Sequence, residues 1–106
     1  MKKYVLALAA MIVAMCATAT VKTGIEVLRD NGFKQLQGKR VGLVTNPSGV
    51  DHNLVSTVDI LSNAPGVKLV ALYGPEHGVR GNAHAGDAVG DAVDEKTGVK
   101  MYSLYG

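Results

Sequence analysis

One cysteine, one phenylalanine, three prolines and no tryptophan are found in this chain of 106 residues. A lone cysteine closes no intramolecular disulfide, so a folded domain here must be stabilised by a packed core. The scarce aromatics leave little to stack on nucleic-acid bases, and no run of Lys or Arg marks a phosphate-binding face. The formal charge of +2 comes from Lys2 and Lys3, and residues 20–106 carry no net charge. Although glycine is plentiful at 13 residues, no G-x-G-x-x-G or P-loop pattern occurs, so a bound nucleotide has weak support. There is likewise no H-E-x-x-H metal motif and no G-x-S-x-G nucleophile elbow.

The amino terminus carries a targeting pattern. Lys2-Lys3 precedes the twelve apolar residues Tyr4 to Met15, and Ala17-Thr18-Ala19 supplies small residues at a cleavage position. That order matches a secretory signal, and a stable membrane span needs about 20 apolar residues. Residues 1–19 are expected to be a signal peptide, leaving 20–106 as exported protein, periplasmic or extracellular, with no stable membrane span. Met15 before Cys16 is a poor fit to a lipid-anchored variant, so anchoring through Cys16 is the lesser alternative.

From Thr23 the chain alternates between helical and strand patterns. Thr23 and Glu26 have the spacing of a capping box at the head of a short helix that Asn31-Gly32 stops. Lys39 to Thr45 reads as a buried strand, with Gly42 inside it suggesting close approach of a helix or ligand. Asn46-Pro47-Ser48-Gly49 is a turn. Leu54, Val58 and Leu61 place a helix over 53–63, Val67 to Tyr73 is a second strand, and Val99 to Tyr105 a third. Residues 78–98 lack a strong period and read as a long loop with a helical turn near Asp87 to Val93, and loops of this length are often functional. A strand, a helix and a strand with short links predict a βαβ unit with parallel strands. Two helices cannot cover both faces of such a sheet. The chain is therefore expected to be the truncated amino-terminal part of a larger α/β domain.

Chemistry concentrates in Leu69 to Gly81, LVALYGPEHGVRG. An apolar strand stops at Gly74-Pro75, and Glu76, His77 and Arg80 follow at once. In open α/β sheets ligands bind beyond the carboxyl ends of the strands. Glu76 suits a general acid if its surroundings desolvate it, or it is a solvated loop carboxylate. His77 could orient Glu76, bind substrate or ligate a metal. His77, His84, Asp87 and Asp91 could together form a metal site, but their spacing matches no specific motif, and the sequence calls for no metal or cofactor. Arg80 could hold a carboxylate bidentately, or form an ion pair such as one with Asp87. Asn46, beyond the first strand, could bond substrate or cap its turn.

Four blocks, VGLVTNPSGVD (Val41 to Asp51), LVALYGPEHGVRG (Leu69 to Gly81), AGDAV (Ala85 to Val89) and TGVKMYSLYG (Thr97 to Gly106), together resemble the bacterial exo-β-N-acetylmuramidase family. The resemblance implies a Rossmann-like, three-layer α/β domain with parallel strands, joined in longer relatives to a smaller carboxy-terminal domain across a cleft. It also implies exported glycoside hydrolases that remove N-acetylmuramic acid from the non-reducing end of peptidoglycan fragments, in cell-wall turnover or recycling. By the same resemblance Glu76 is the catalytic acid and His77, Arg80 and Asn46 occupy matching positions. Arg80 is then a partner for the lactyl carboxylate of muramic acid, and Asp87 the local candidate for the second carboxylate that glycoside hydrolysis commonly uses. Alone, the chain is expected to be inactive, with half of the cleft absent. Competing expectations are a non-catalytic cell-wall sugar-binding module and a flavodoxin-like nucleotide-binding module.

Overall fold

The computed structural model describes residues 2–17, 20–75, 77–82 and 91–104. Helix α1 (Lys2–Ala17) is exposed along its described side chains, which are nearly all apolar after Lys3. Among the described residues no helix is long and apolar enough to cross a membrane. The expected cleavage point after Ala19 lies outside the described residues.

The remainder is α/β. Helix α2 (Gly24–Asp30) and a 3-10 turn (Lys34–Leu36) lead into β1 (Arg40–Val44), followed by α3 (Thr57–Ser62), β2 (Lys68–Gly74), the short β3 (Ala92–Val93) and β4 (Lys100–Ser103). The sheet order is β1-β2-β4-β3. β1, β2 and β4 run parallel, as the βαβ pattern requires. The parallel expectation fails at β3, which pairs antiparallel with β4, Ala92 to Met101 and Val93 to Lys100. A two-residue strand is too short to show a period, so the sequence reads it as loop. Its presence also replaces the 91–93 part of the expected helical turn; residues 87–90 lie outside the described residues.

α2 begins where the Thr-x-x-Glu spacing puts it, with Thr23 at the cap, but the Thr23 side chain makes no capping bond. Glu26 is instead drawn inward, 4% exposed, and accepts the His52 amide at 2.8 Å, with His52 Nδ1 at 3.0 Å. Arg29, one turn on, donates to buried Asp51 at 3.0 Å. Both contacts tie α2 to the loop before α3, which a local capping rule does not foresee.

α3 is shorter than its apolar spacing suggests. The Asp51 carboxylate accepts the amides of Asn53 and Val55 at 2.9 Å each, holding 51–55 in a turn. Leu54 sits there at φ 62° and is 80% exposed, so it belongs to no helix face. The helix starts only after Ser56, whose Oγ accepts from the Val58 amide at 3.2 Å. Val58, Ile60 and Leu61 then pack against Leu69 and Leu72 of β2, with Phe33 and Val79 completing the core. Leu72 and Val58 are fully buried. Gly42 does mark a close approach: the Tyr73 ring of β2 lies 3.1 Å from where a Cβ would stand.

Candidate active site

Because three strands run parallel, their carboxyl ends gather the 45–49 turn, the 75–82 loop and the residue after β4 at one edge of the sheet. The edge is knitted together by backbone bonds. The Thr45 amide donates to the Tyr73 carbonyl at 3.1 Å, and the Leu104 amide to the Gly74 carbonyl at 2.8 Å. Val44, Thr45, Asn46 and Pro75 line a shallow, open depression of about 300 Å³ between the first two of these loops.

Asn46 organises its own turn. Its Oδ1 accepts from the Ser48 amide at 3.1 Å and from Ser48 Oγ at 2.7 Å, while its carbonyl accepts the Gly49 amide at 3.0 Å. The residue is exposed at the rim of the depression, so turn capping and a role at the rim are compatible.

The loop after β2 folds back on itself at once. A Cβ on Gly74 would stand 3.0 Å from the Val79 nitrogen and 3.1 Å from two Gly78 backbone atoms, which explains why the strand can end in glycine and reverse. The Gly78 amide donates to the Pro75 carbonyl at 2.8 Å. Glu76 lies outside the described residues, but Pro75 and Gly78, joined by that bond, are close on either side of it in sequence. His77 is exposed. Val79 is buried in the core, and a Cβ on Gly81 would come within 2.8 Å of the Pro47 ring. The loop is thus pinned to the strand, to the core and to the neighbouring turn.

Arg80 adds a fourth anchor. Its Nε and Nη2 donate to Asp94 at 2.5 and 2.9 Å, and its Nη2 and Nη1 to Asp59 of α3 at 2.9 and 3.4 Å. The guanidinium is 23% exposed and Asp94 only 3%. Asp94 also accepts from the Thr97 amide and hydroxyl, and Lys96 donates to Asp59 at 2.8 Å. Arg80 and then Thr97 hold the Asp94 carboxyl down to about 2, and Arg80 followed by Lys96 lowers that of Asp59. The two carboxylates in turn raise Arg80 above its already high value.

Asp87, the expected partner of Arg80, lies outside the described residues, as does His84. Asp59 and Asp94 were not singled out from the sequence. They lie 21 residues before and 14 after Arg80, and no local period links such positions. Asp91 lines a second hollow with Val93, Lys100 and Tyr102, and because β3 runs antiparallel to β4 with Ala92 opposite Met101, it stands toward the carboxyl end of β4. Among the described residues no three metal-ligating side chains cluster.

With this edge defined, comparison with known proteins decides the family. Residues 41–106 match the family described as exo-beta-N-acetylmuramidase NamZ, N-terminal. The chain belongs to this exo-β-N-acetylmuramidase family. Over 86 residues it is 63% identical to the peptidoglycan beta-N-acetylmuramidase NamZ of Bacillus subtilis (strain 168), an alignment covering 81% of this chain and 21% of that protein. A crystal structure of a DUF1343 family protein from Bacteroides fragilis superposes with a TM-score of 0.71 at 64% identity, covering 80% of this chain and 20% of that one. The chain therefore spans about a fifth of the length of these relatives. The family match includes both turns that make up the edge described above.

Proposed function

We propose that this chain is the amino-terminal part of an exo-acting β-N-acetylmuramidase, in which the edge formed by the 45–49 turn and the 75–82 loop is one wall of the substrate cleft. The observation that carries the reading is the 63% identity over 86 residues to a protein named for that activity. The substrate class is peptidoglycan-derived saccharide ending in N-acetylmuramic acid at the non-reducing end, and the setting is cell-wall turnover or recycling. The parallel β1-α3-β2 unit supports a Rossmann-like domain, and the apolar α1 supports export through a cleaved signal.

In this reading Glu76 is the general acid. It donates a proton to the glycosidic oxygen as the bond from that oxygen to the muramic acid C1 breaks, and water supplies the hydroxyl that ends on C1. Asn46 and His77, both exposed at the wall, face the sugar, and Asp87 is the local candidate for the second carboxylate. A guanidinium already shared by Asp59 and Asp94 is poorly placed to take a third carboxylate from a lactyl group.

The complete gene product incubated with a muramic acid–glucosamine disaccharide should release free N-acetylmuramic acid. Glu76→Gln should lower that rate by about 10²-fold or more, the range general acids contribute. Hydrolysis unchanged by the substitution would remove Glu76 from the mechanism. Binding without hydrolysis by the unsubstituted protein would favour a sugar-binding module.

A further inference from the structure

We propose that Asp59, Arg80 and Asp94 form a positioning triad that sets the loop bearing Glu76 and His77 at the carboxyl end of β2. The inference rests on the assignment of Glu76 as the acid. Three separate elements meet in it: α3 through Asp59, the loop after β2 through Arg80, and the β3–β4 turn through Asp94.

The geometry is that of a clamp. One edge of the guanidinium, Nε with Nη2, engages Asp94, and the end, Nη2 with Nη1, engages Asp59. Two bidentate contacts fix both the position and the plane of the group, which a single charge pair does not do. Asp94 is itself immobilised. Its turn is closed by the Asp94 amide on the Val99 carbonyl at 2.8 Å and the Gly98 amide on the Asp94 carbonyl at 2.7 Å, and Thr97 bonds its carboxylate. With Lys96 on Asp59, two carboxylates face two cations, so the cluster is balanced without a ligand.

From Arg80 the constraint reaches the site through very few bonds. Val79 beside it is buried in the core, and Gly78 bonds back to Pro75. Only three residues, His77, Gly78 and Val79, separate Arg80 from Glu76 in sequence. A proton donor must stand within hydrogen-bond reach of the leaving oxygen, and misplacement by about 1 Å can cost 10²-fold in rate. Lysine keeps the charge but cannot reproduce the planar fork.

The test compares two substrates of the complete gene product. The disaccharide leaves as a sugar hydroxyl and needs protonation. A 4-nitrophenyl β-glycoside of N-acetylmuramic acid leaves as a stable anion and needs almost none. The ratio of kcat/KM on the two is read for Glu76→Gln, Arg80→Lys, Asp94→Asn and the milder Asp59→Asn. Because both rates come from one sample, the ratio cancels any loss of folded enzyme. The Arg80 and Asp94 variants should each lower the ratio by about tenfold or more, mainly through kcat on the disaccharide, and Asp59→Asn should move it the same way. Equal losses on both substrates would mean a purely structural cluster and overturn the inference. So would a rise in KM for both substrates confined to Arg80→Lys, which would return Arg80 to the lactyl group. If Glu76→Gln leaves the ratio unchanged, the acid assignment fails and the inference falls with it. If Glu76→Gln lowers the ratio while the triad variants do not, the inference alone is overturned.

Discussion

Replacing Asp94 by asparagine should destabilise the protein at neutral pH and do so progressively less in acid. In the folded chain the Asp94 carboxyl is held at about 2, against an ordinary value of 3.8, by Arg80 first and Thr97 second. The ionised form is thereby favoured by about 2 kcal/mol on folding, at ~1.36 kcal/mol per pKa unit. Asp94 is almost fully buried, so solvent screens little of this, unlike an exposed pair. The folded value lies below the unfolded one. The contribution is therefore complete above pH 3.8 and lost as pH falls through 2. Linkage leaves about 1 kcal/mol of it at pH 3. Urea unfolding followed by circular dichroism, wild type against Asp94→Asn, should give a gap of about 2 kcal/mol at pH 7 that shrinks to roughly half at pH 3. A gap that is the same at both pH values would mean that shape or hydrogen bonding, and not the charge, holds the turn. A gap below about 0.5 kcal/mol at pH 7 would put the pair in the class of surface ion pairs and refute the reasoning.

Gly74→Ala should cost about 1–3 kcal/mol, because its Cβ would press on the backbone of Gly78 and Val79, which cannot swing aside as a side chain does. The same variant should speed amide exchange at Gly78, whose bond to the Pro75 carbonyl closes the loop, and unchanged exchange there would argue that the reversal does not depend on glycine. Leu72→Ala removes a fully buried side chain from the centre of the sheet and should lower stability by about 2–5 kcal/mol, measured by denaturant unfolding; a loss under about 1 kcal/mol would show that the core is less tightly packed than the structure has it.

Local pattern settled the order of the main elements. Apolar runs located β1, β2 and β4, the spacing of Val58 and Leu61 located α3, and the abrupt Gly74-Pro75 stop located the loop that carries the candidate chemistry. These are readable because a strand or helix must show its period to bury one face, and because glycine and proline punctuate the backbone by their own geometry. Four sequence blocks also pointed to the family to which the chain belongs.

What remained hidden depended on contacts distant in sequence. Leu54 has the right spacing for the α3 face, yet Asp51 captures the amides before the helix and turns Leu54 out to solvent. Thr23 and Glu26 have capping-box spacing, yet the largest hold on the Glu26 carboxylate comes from His52, 26 residues away, a partner that no local rule foresees. Strand β3 exists only through its pairing with β4. The clearest case is Arg80. From residue types alone it stood ready for a ligand carboxylate, and the fold supplies two carboxylates of its own, Asp59 and Asp94. A charged side chain advertises what it can bind, and only the tertiary structure decides which partner arrives.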